Sequence, residues 1–271
     1  MPDLAGMENP EPKLRMQSIH KSFTVEGKRE PVLAGVDLAV EDSEFVSIIG
    51  PSGCGKSTLL NIIAGLDHPD SGSVSLDGGQ DQPRLGRVGY MQQKDLLLPW
   101  RTVLDNAILG LELRGVPRRQ ARKQALQLTE SFGLSGFEGQ YPYALSGGMR
   151  QRAAFLRTML LGQELVLLDE PFGALDALTR VQMQEWLLNL WDSMKSTIVL
   201  ITHDVDEAIL VSDRVYVLTS RPGRVKMVLD VDLPRPRNFE AVTSPPFTSL
   251  KAKLLTALRE ETVKVGAETW P

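Results

Sequence analysis

Four short aliphatic runs, at residues 45–49, 165–168, 197–201 and 214–218, lack the polar alternation of a half-exposed strand. Uninterrupted apolar runs of this length, bounded by turn residues, suit strands buried on both faces of a parallel sheet. Helical spacing fills the stretches between them, so the chain reads as α/β. Between about residues 93 and 144 the strand signals stop. Leu104, Ile108 and Leu111 recur at helical spacing, and Pro117 opens a second helix with Ala121, Ala125, Leu128 and Phe132 on one face. An all-helical insert within an α/β core is therefore expected. Beyond Arg221 the chain turns to loop chemistry, with Pro222-Gly223, Pro234, Pro236, Pro245 and Pro246. A last amphipathic helix is expected over about 248–265, with Leu250, Leu254, Leu255 and Leu258 on one side. The segment beyond residue 235 is too short to bury a core of its own, so it is read as an extension and not a domain.

Composition narrows the function. Hydrophobic residues at 42% and charged residues at 24% exclude a disordered chain. A net charge of −4 argues against a dedicated nucleic-acid binder. The basic residues Arg114, Arg118, Arg119, Arg122 and Lys123 are read as a solvated helix face. A single cysteine, Cys54, excludes an intramolecular disulfide and a cysteine-based zinc site, and fits a reducing compartment. No apolar run approaches the ~20 residues that span a bilayer, so any membrane role is expected to be peripheral, through a partner.

The chemistry begins at Gly50-Pro51-Ser52-Gly53-Cys54-Gly55-Lys56-Ser57, between the run 45–49 and a helix expected over 58–66. This spacing fits a phosphate loop. Glycines let consecutive backbone amides turn inward around an anion, and the helix that starts near Thr58 points its positive end at the same place. Lys56 would reach the β- and γ-phosphates, and Ser57 would offer a hydroxyl to Mg2+. The loop alone leaves a kinase, a GTPase, a motor and a transport ATPase open. The run 165–168 ends in Asp169-Glu170. A carboxylate at the end of a buried strand lies beside the metal site, so Asp169 is the expected metal-side acid and Glu170 the group that accepts a proton from an attacking water.

Leu145-Ser146-Gly147-Gly148 opens a further helix, a second anion site made of a hydroxyl, bare amides and a helix dipole. With this motif the sequence resembles the ATP-binding-cassette (ABC) ATPases over about residues 14–237. The order also matches: phosphate loop, glutamine loop, Leu-Ser-Gly-Gly signature, Asp-Glu strand end, histidine. The resemblance implies a P-loop NTPase of RecA-like fold, with an ATPase domain at 14–235. That domain divides into a core at about 14–92 and 160–235 and a helical subdomain at about 93–159, with an extension at 236–271. It implies ATP and Mg2+ as cofactors. Residues 50–58 would cradle the phosphates, and Ser146, Gly147 and Gly148 would bind the γ-phosphate of ATP held by the other copy in a homodimer of cassettes. Gln93, in preference to Gln92, is the glutamine-loop residue near the metal and the water; His203 matches the switch histidine; Phe23 stands where the family stacks an aromatic on adenine. Ala174-Leu175-Asp176 matches the loop that crosses between subunits.

The stretches 87–91, 98–103, 217–223 and 232–237 resemble the nitrate/sulfonate/taurine branch of bacterial importers. That branch implies an ATPase at the cytoplasmic face of the inner membrane, two integral membrane permease subunits, and indirectly an extracytoplasmic substrate-binding protein, with no nucleic acid. The alternative is a soluble cassette of DNA repair or translation. Four smaller expectations remain. Cys54 is expected to be a reactive thiol in the loop's positive potential, unless burial leaves it inert. Trp186 and Trp191 are expected to pack between helices. Ser43, where the family has glycine, is expected to affect only a turn. Of the apolar cluster Leu96, Leu97, Leu98 and Trp100, Leu97 is expected to point inward and the rest toward a partner.

Overall fold

The computed structural model describes residues 11–80 and 82–269, with side chains up to residue 263. In chain order the elements are β1 (Leu14–Val25), β2 (Lys28–Val40), β3 (Phe45–Ile49), α1 (Lys56–Ala64), β4 (Ser71–Leu76), β5 (Gly79–Gln80), β6 (Gly89–Met91), α2 (Val103–Ala107), α3 (Leu109–Leu113), α4 (Arg118–Leu128), α5 (Gly147–Met159), β7 (Leu165–Asp169), α6 (Ala177–Met194), β8 (Thr197–Ile201), α7 (Val205–Val211), β9 (Arg214–Leu218), β10 (Val225–Asp230) and α8 (Pro245–Thr269).

The four aliphatic runs are the strands β3, β7, β8 and β9. They lie side by side in a six-stranded sheet of order β10-β9-β3-β8-β7-β6, parallel except for the edge strand β10. Their missing alternation has a simple cause. Successive side chains enter two different cores: Val166, Leu168, Ile198 and Leu200 face one side, while Leu165, Leu167, Val199 and Ile201 face the other. One core is formed with the helices α2 to α8, the other with α1 and a four-stranded antiparallel sheet of order β2-β1-β4-β5. That second sheet was not foreseen. Its strands are half-exposed and broken by irregular pairing, as between Met16 and Ile19 in β1.

Between β6 and β7 the described residues form helices and turns only. The inward face Leu104, Ile108 and Leu111 is buried as expected, but the backbone breaks at Ile108, which separates α2 from α3. Phe132 is buried although it lies past the end of α4. The basic stretch is not simply solvated. Arg118 and Arg122 pair with Asp105, and Arg118 also with Glu112, so these cations tie α4 to α2 and α3. The last helix runs longer than expected, and Leu255 is 48% exposed. Phe247, Leu254 and Ala257 are the inward positions, and Leu255, one step on from Leu254, is turned about 100° away from the single face this helix buries. Trp191 packs edge-on against Phe45, and Trp186 against Phe132 and Phe155. Ser43 adopts a left-handed turn (φ 59°) and its amide donates to the Thr197 hydroxyl.

Candidate active site

The site lies at the carboxyl ends of the parallel strands. β3 ends at Ile49, the loop comes next, and α1 starts at Lys56 behind Gly55, whose φ of 105° only glycine holds without strain. Any side chain at Gly55 would also press on Leu33 at 2.7 Å. Lys56 is buried, and its ammonium donates to the carbonyls of Gly50 (2.8 Å) and Pro51 (3.1 Å). A buried cation is thus held by carbonyls of its own loop, where an anionic ligand would serve it better.

β7 delivers Asp169 beside that loop. Its carboxylate accepts a hydrogen bond from Ser57, and burial pushes its pKa above the usual carboxylate range, against the pull of Ser57 and Lys56. A hydroxyl and a carboxylate at a helix start are the hard oxygen donors that suit Mg2+. Tyr90 on the neighbouring β6 was not foreseen. Its hydroxyl donates to Asn61 Oδ1 at 3.3 Å, and burial together with the nearby Asp169 carboxylate holds its proton on well beyond the usual range. Only the pairing of β6 with β7 puts it there.

Glu170 comes next, in a left-handed conformation (φ 45°), with its amide held by the carbonyl of Ile201 at 2.9 Å. Non-glycine residues in this region are strained, and such strain clusters at functional positions. One carboxylate oxygen, Oε2, meets Gln93 Nε2 at 3.2 Å and His203 Nδ1 at 3.3 Å. The structure thus gathers Gln93, Glu170 and His203 from three separate parts of the chain. Gln92, the alternative, makes no such contact.

The loop carrying His203 is braced from below. Thr202 donates to the buried Glu207 (3.1 Å) and accepts from the Asp204 amide, while Asp204 caps α7. Arg180 reaches both the Leu175 carbonyl (3.1 Å) and Asp204 (3.5 Å), linking the 174–176 loop to the histidine loop. Burial and the nearby Asp204 push Glu207 up to about 8. Sequence reading missed this group; the only signal was three acids, Asp204, Asp206 and Glu207, within five residues of a histidine.

The signature lies elsewhere. Ser146 is exposed and caps α5, its hydroxyl accepting from the Met149 amide at 3.3 Å. Gly148 is buried, and a Cβ there would press on Thr179 at 3.0 Å, whereas a Cβ on Gly147 would meet Leu175 at an ordinary 3.4 Å. Among the described residues no hydrogen bond joins 146–148 to the phosphate loop. The glutamine loop does reach the signature helix: Arg150 pairs with Asp95 at 3.3 Å, and Arg157 donates to the Asp95 and Leu96 carbonyls.

One expectation needs adjustment. Cys54 is fully buried in the core beneath the loop, and burial raises its thiol pKa despite Lys56 nearby; this favours the inert alternative over the reactive thiol, because desolvation outweighs the local positive potential. Phe23 is 40% exposed on β1, with the Lys21 ammonium 5.2 Å from its ring centre. Its ring is open on the surface, and no other predicted site residue bonds to it.

Comparison with known proteins points the same way. Residues 33–173 match the family model described as ABC transporter. The aliphatic sulfonates import ATP-binding protein SsuB of Bacillus licheniformis is 44% identical, over 87% of this chain and 90% of its own length. The formylaminopyrimidine import ATP-binding protein ThiZ of Halalkalibacterium halodurans is 42% identical, over 86% of this chain and 92% of its own. In three dimensions the dimeric structure of MJ0796, a bacterial ABC transporter cassette, superposes with a TM-score of 0.71 at 30% identity, covering 82% of this chain and all of that one. With a family match over half its length and relatives above 40% identical over most of it, the chain belongs to the ABC transporter family, as an ATP-binding cassette.

Proposed function

We propose that the chain is the ATP-hydrolysing subunit of a bacterial importer for a small anion or organic solute, of the nitrate, sulfonate or taurine kind. The observation that carries its chemistry is the convergence of Gln93 and His203 on one oxygen of Glu170, one residue along from Asp169. Residues 50–58 (Gly50, Pro51, Ser52, Gly53, Cys54, Gly55, Lys56, Ser57, Thr58) would hold the phosphates, Cys54 through its backbone alone. Lys56 would exchange the Gly50 and Pro51 carbonyls for phosphate oxygens. Ser57, Asp169 and Gln93 would hold Mg2+, which when bound neutralises charge on the phosphoryl oxygens.

Hydrolysis then needs little more than position and a proton acceptor. Water attacks the γ-phosphorus, its proton passes to Glu170, and the bond to the β-phosphate breaks to release ADP and phosphate. Gln93 would orient the carboxylate through its amide, and His203, which meets the same oxygen, would reach the γ-phosphate. Phe23 would stack on adenine. Ser146, Gly147 and Gly148 would complete the site of a second copy, so the working unit is a homodimer with two shared nucleotides. The division into a core at 14–92 and 160–235, a helical subdomain at 93–159 and an extension at 236–271 is part of this reading.

Import is supported by what the relatives are named for. Two permease subunits would dock beside the glutamine loop, where Trp100 is 72% and Leu96 50% exposed while Leu97 is buried. No helix among the described residues is long and apolar enough to cross a membrane, which suits peripheral attachment at the cytoplasmic face of the inner membrane. An extracytoplasmic binding protein would act indirectly, through the permease. The relatives named above are import subunits, which favours this reading over a soluble cassette of DNA repair or translation. The test is purification from native membranes with solute-uptake assays of a deletion strain. Co-purifying permease subunits and lost uptake are expected; ATPase activity without either would overturn the importer role.

A further inference from the structure

The phosphate loop has an outer wall, the turn between β9 and β10. A Cβ built on Gly223 would collide with the carbonyl oxygen of Cys54. Gly223 is itself held, its amide donating to Val32 O at 2.8 Å and its carbonyl accepting from Ala34 N at 3.0 Å. At the turn's start Leu218 faces Gly50, where a Cβ would meet the Leu218 carbonyl oxygen at 3.1 Å. Close-packed backbone leaves no slack here, so the loop cannot shift outward unless the turn moves too.

The turn is gripped by the C-terminal helix. Glu261 of α8 is 1% exposed. Its Oε2 accepts from the Ser220 amide (3.0 Å) and hydroxyl (3.3 Å), and its Oε1 from Lys226 Nζ (2.8 Å). Lys226 also donates to the Ala257 carbonyl at 2.9 Å and pairs with Glu260 at 2.8 Å. A carboxylate removed from water must be matched by donors, and these donors come from the turn and from the strand that leaves it. Nothing in the hydrolysis chemistry requires a helix at the far end of the chain to make this contact.

We propose that Glu261 is a positioning residue for the phosphate loop: through Ser220 and Lys226 it clamps the 219–224 turn, which keeps Gly223 against Cys54 and thereby sets nucleotide affinity. The extension after residue 235 thus becomes a handle on the nucleotide site, through which anything that shifts α8 changes ATP binding. The proposal rests on reading residues 50–58 as the nucleotide loop.

The test uses the full-length chain and Mg-ATP, with equilibrium binding measured beside KM and kcat. Glu261→Ala is expected to weaken binding about five-fold, equivalent to ~1 kcal/mol, with KM rising and kcat at saturation kept within about two-fold. Should that variant fail to fold, Glu261→Gln, which keeps the size and an acceptor for Ser220, makes the same test with a smaller loss of the same kind. Leu254→Ala, buried in the same helix but without a bond to the turn, is expected to lower the melting temperature and leave affinity unchanged. Unchanged affinity in both Glu261 variants, or an equal loss in Leu254→Ala, overturns the clamp. Lys56→Ala separates the two layers: it should lose affinity whatever happens at Glu261. If it binds as the parent does, the phosphate-loop reading fails and the proposal with it.

Discussion

The phosphate-side machinery and the signature motif are built in opposite ways within one chain. Around the loop, Lys56 is buried, Ser57 bonds Asp169, and Gln93 and His203 already meet Glu170. Ser146 instead stands exposed at the start of α5, with its hydroxyl engaged only in capping its own helix. A preassembled half and an open half suit a site that is completed from outside, because donors fixed in advance cost no reorganisation when charge develops. On the reading proposed above, activity would be switched by bringing the halves of two copies together, with no need to rebuild either.

The strongest way to break this contrast is at Glu170. Glu170→Gln keeps the shape and the contacts to Gln93 and His203 but removes the proton acceptor, so hydrolysis should fall about 10²–10⁴-fold. ATP should still bind, and size-exclusion chromatography with ATP should show a persistent dimer. Phosphate release near the parent rate would remove Glu170 from the chemistry.

Gly147→Ala probes the open half. Its Cβ would sit at ordinary contact distance from Leu175, so the fold and the binding of ATP to the chain's own loop should survive. ATPase activity should drop about ten-fold or more, as expected when a close approach of backbone amides to phosphate is blocked. Equal loss of thermal stability and activity would mean that Gly147 serves packing alone. Trp100→Ala sharpens the same boundary from the membrane side. The isolated chain should keep its folding and nucleotide binding, since the side chain is 72% exposed, while co-purification with permease subunits or substrate-stimulated turnover should weaken.

Beneath the histidine loop, Glu207 makes a pH prediction. Its folded pKa, about 8, lies above the unfolded value of 4.5, so the folded state binds more protons between those limits. Its contribution is fully present below the unfolded value and is lost as pH rises through about 8, with a slope of at most ~1.4 kcal/mol per pH unit. Glu207→Gln should flatten that part of the stability profile measured by denaturant unfolding; an unchanged slope would show that Glu207 is not the titrating group. The smallest effect is expected at Cys54. Buried with a raised pKa, it should react with a maleimide slowly in the folded chain and rapidly after unfolding. Fast labelling of the native protein would restore the reactive thiol.

Much of this site was legible before folding because its parts are short and local. A phosphate loop needs its glycines, lysine and serine within eight positions, and the Asp169-Glu170 pair needs only a buried strand to its N-terminal side. Tyr90, Thr202 and Arg180 were not legible as a set. Each is an ordinary residue in sequence, and each acquires a role through a neighbour brought by sheet order or by the packing of α6 against α7. The four-stranded sheet escaped for a related reason: its strands bury one face only and pair with irregular register, so the apolar run that marks β3, β7, β8 and β9 is missing.

By itself the sequence determined which segments are doubly buried strands and which short glycine-rich and acidic motifs stand at their ends. These properties come from side-chain chemistry and from spacing within one turn or one strand. Tertiary structure alone decided that the Cys54 thiol is buried, which leucine of α8 faces the core, and which carboxylates end up beside which cations. Burial and long-range electrostatics depend on distances between residues far apart in the chain, and no local pattern encodes them. Cys54 shows the difference: by position it belongs to the phosphate loop, and by burial its thiol belongs to the core.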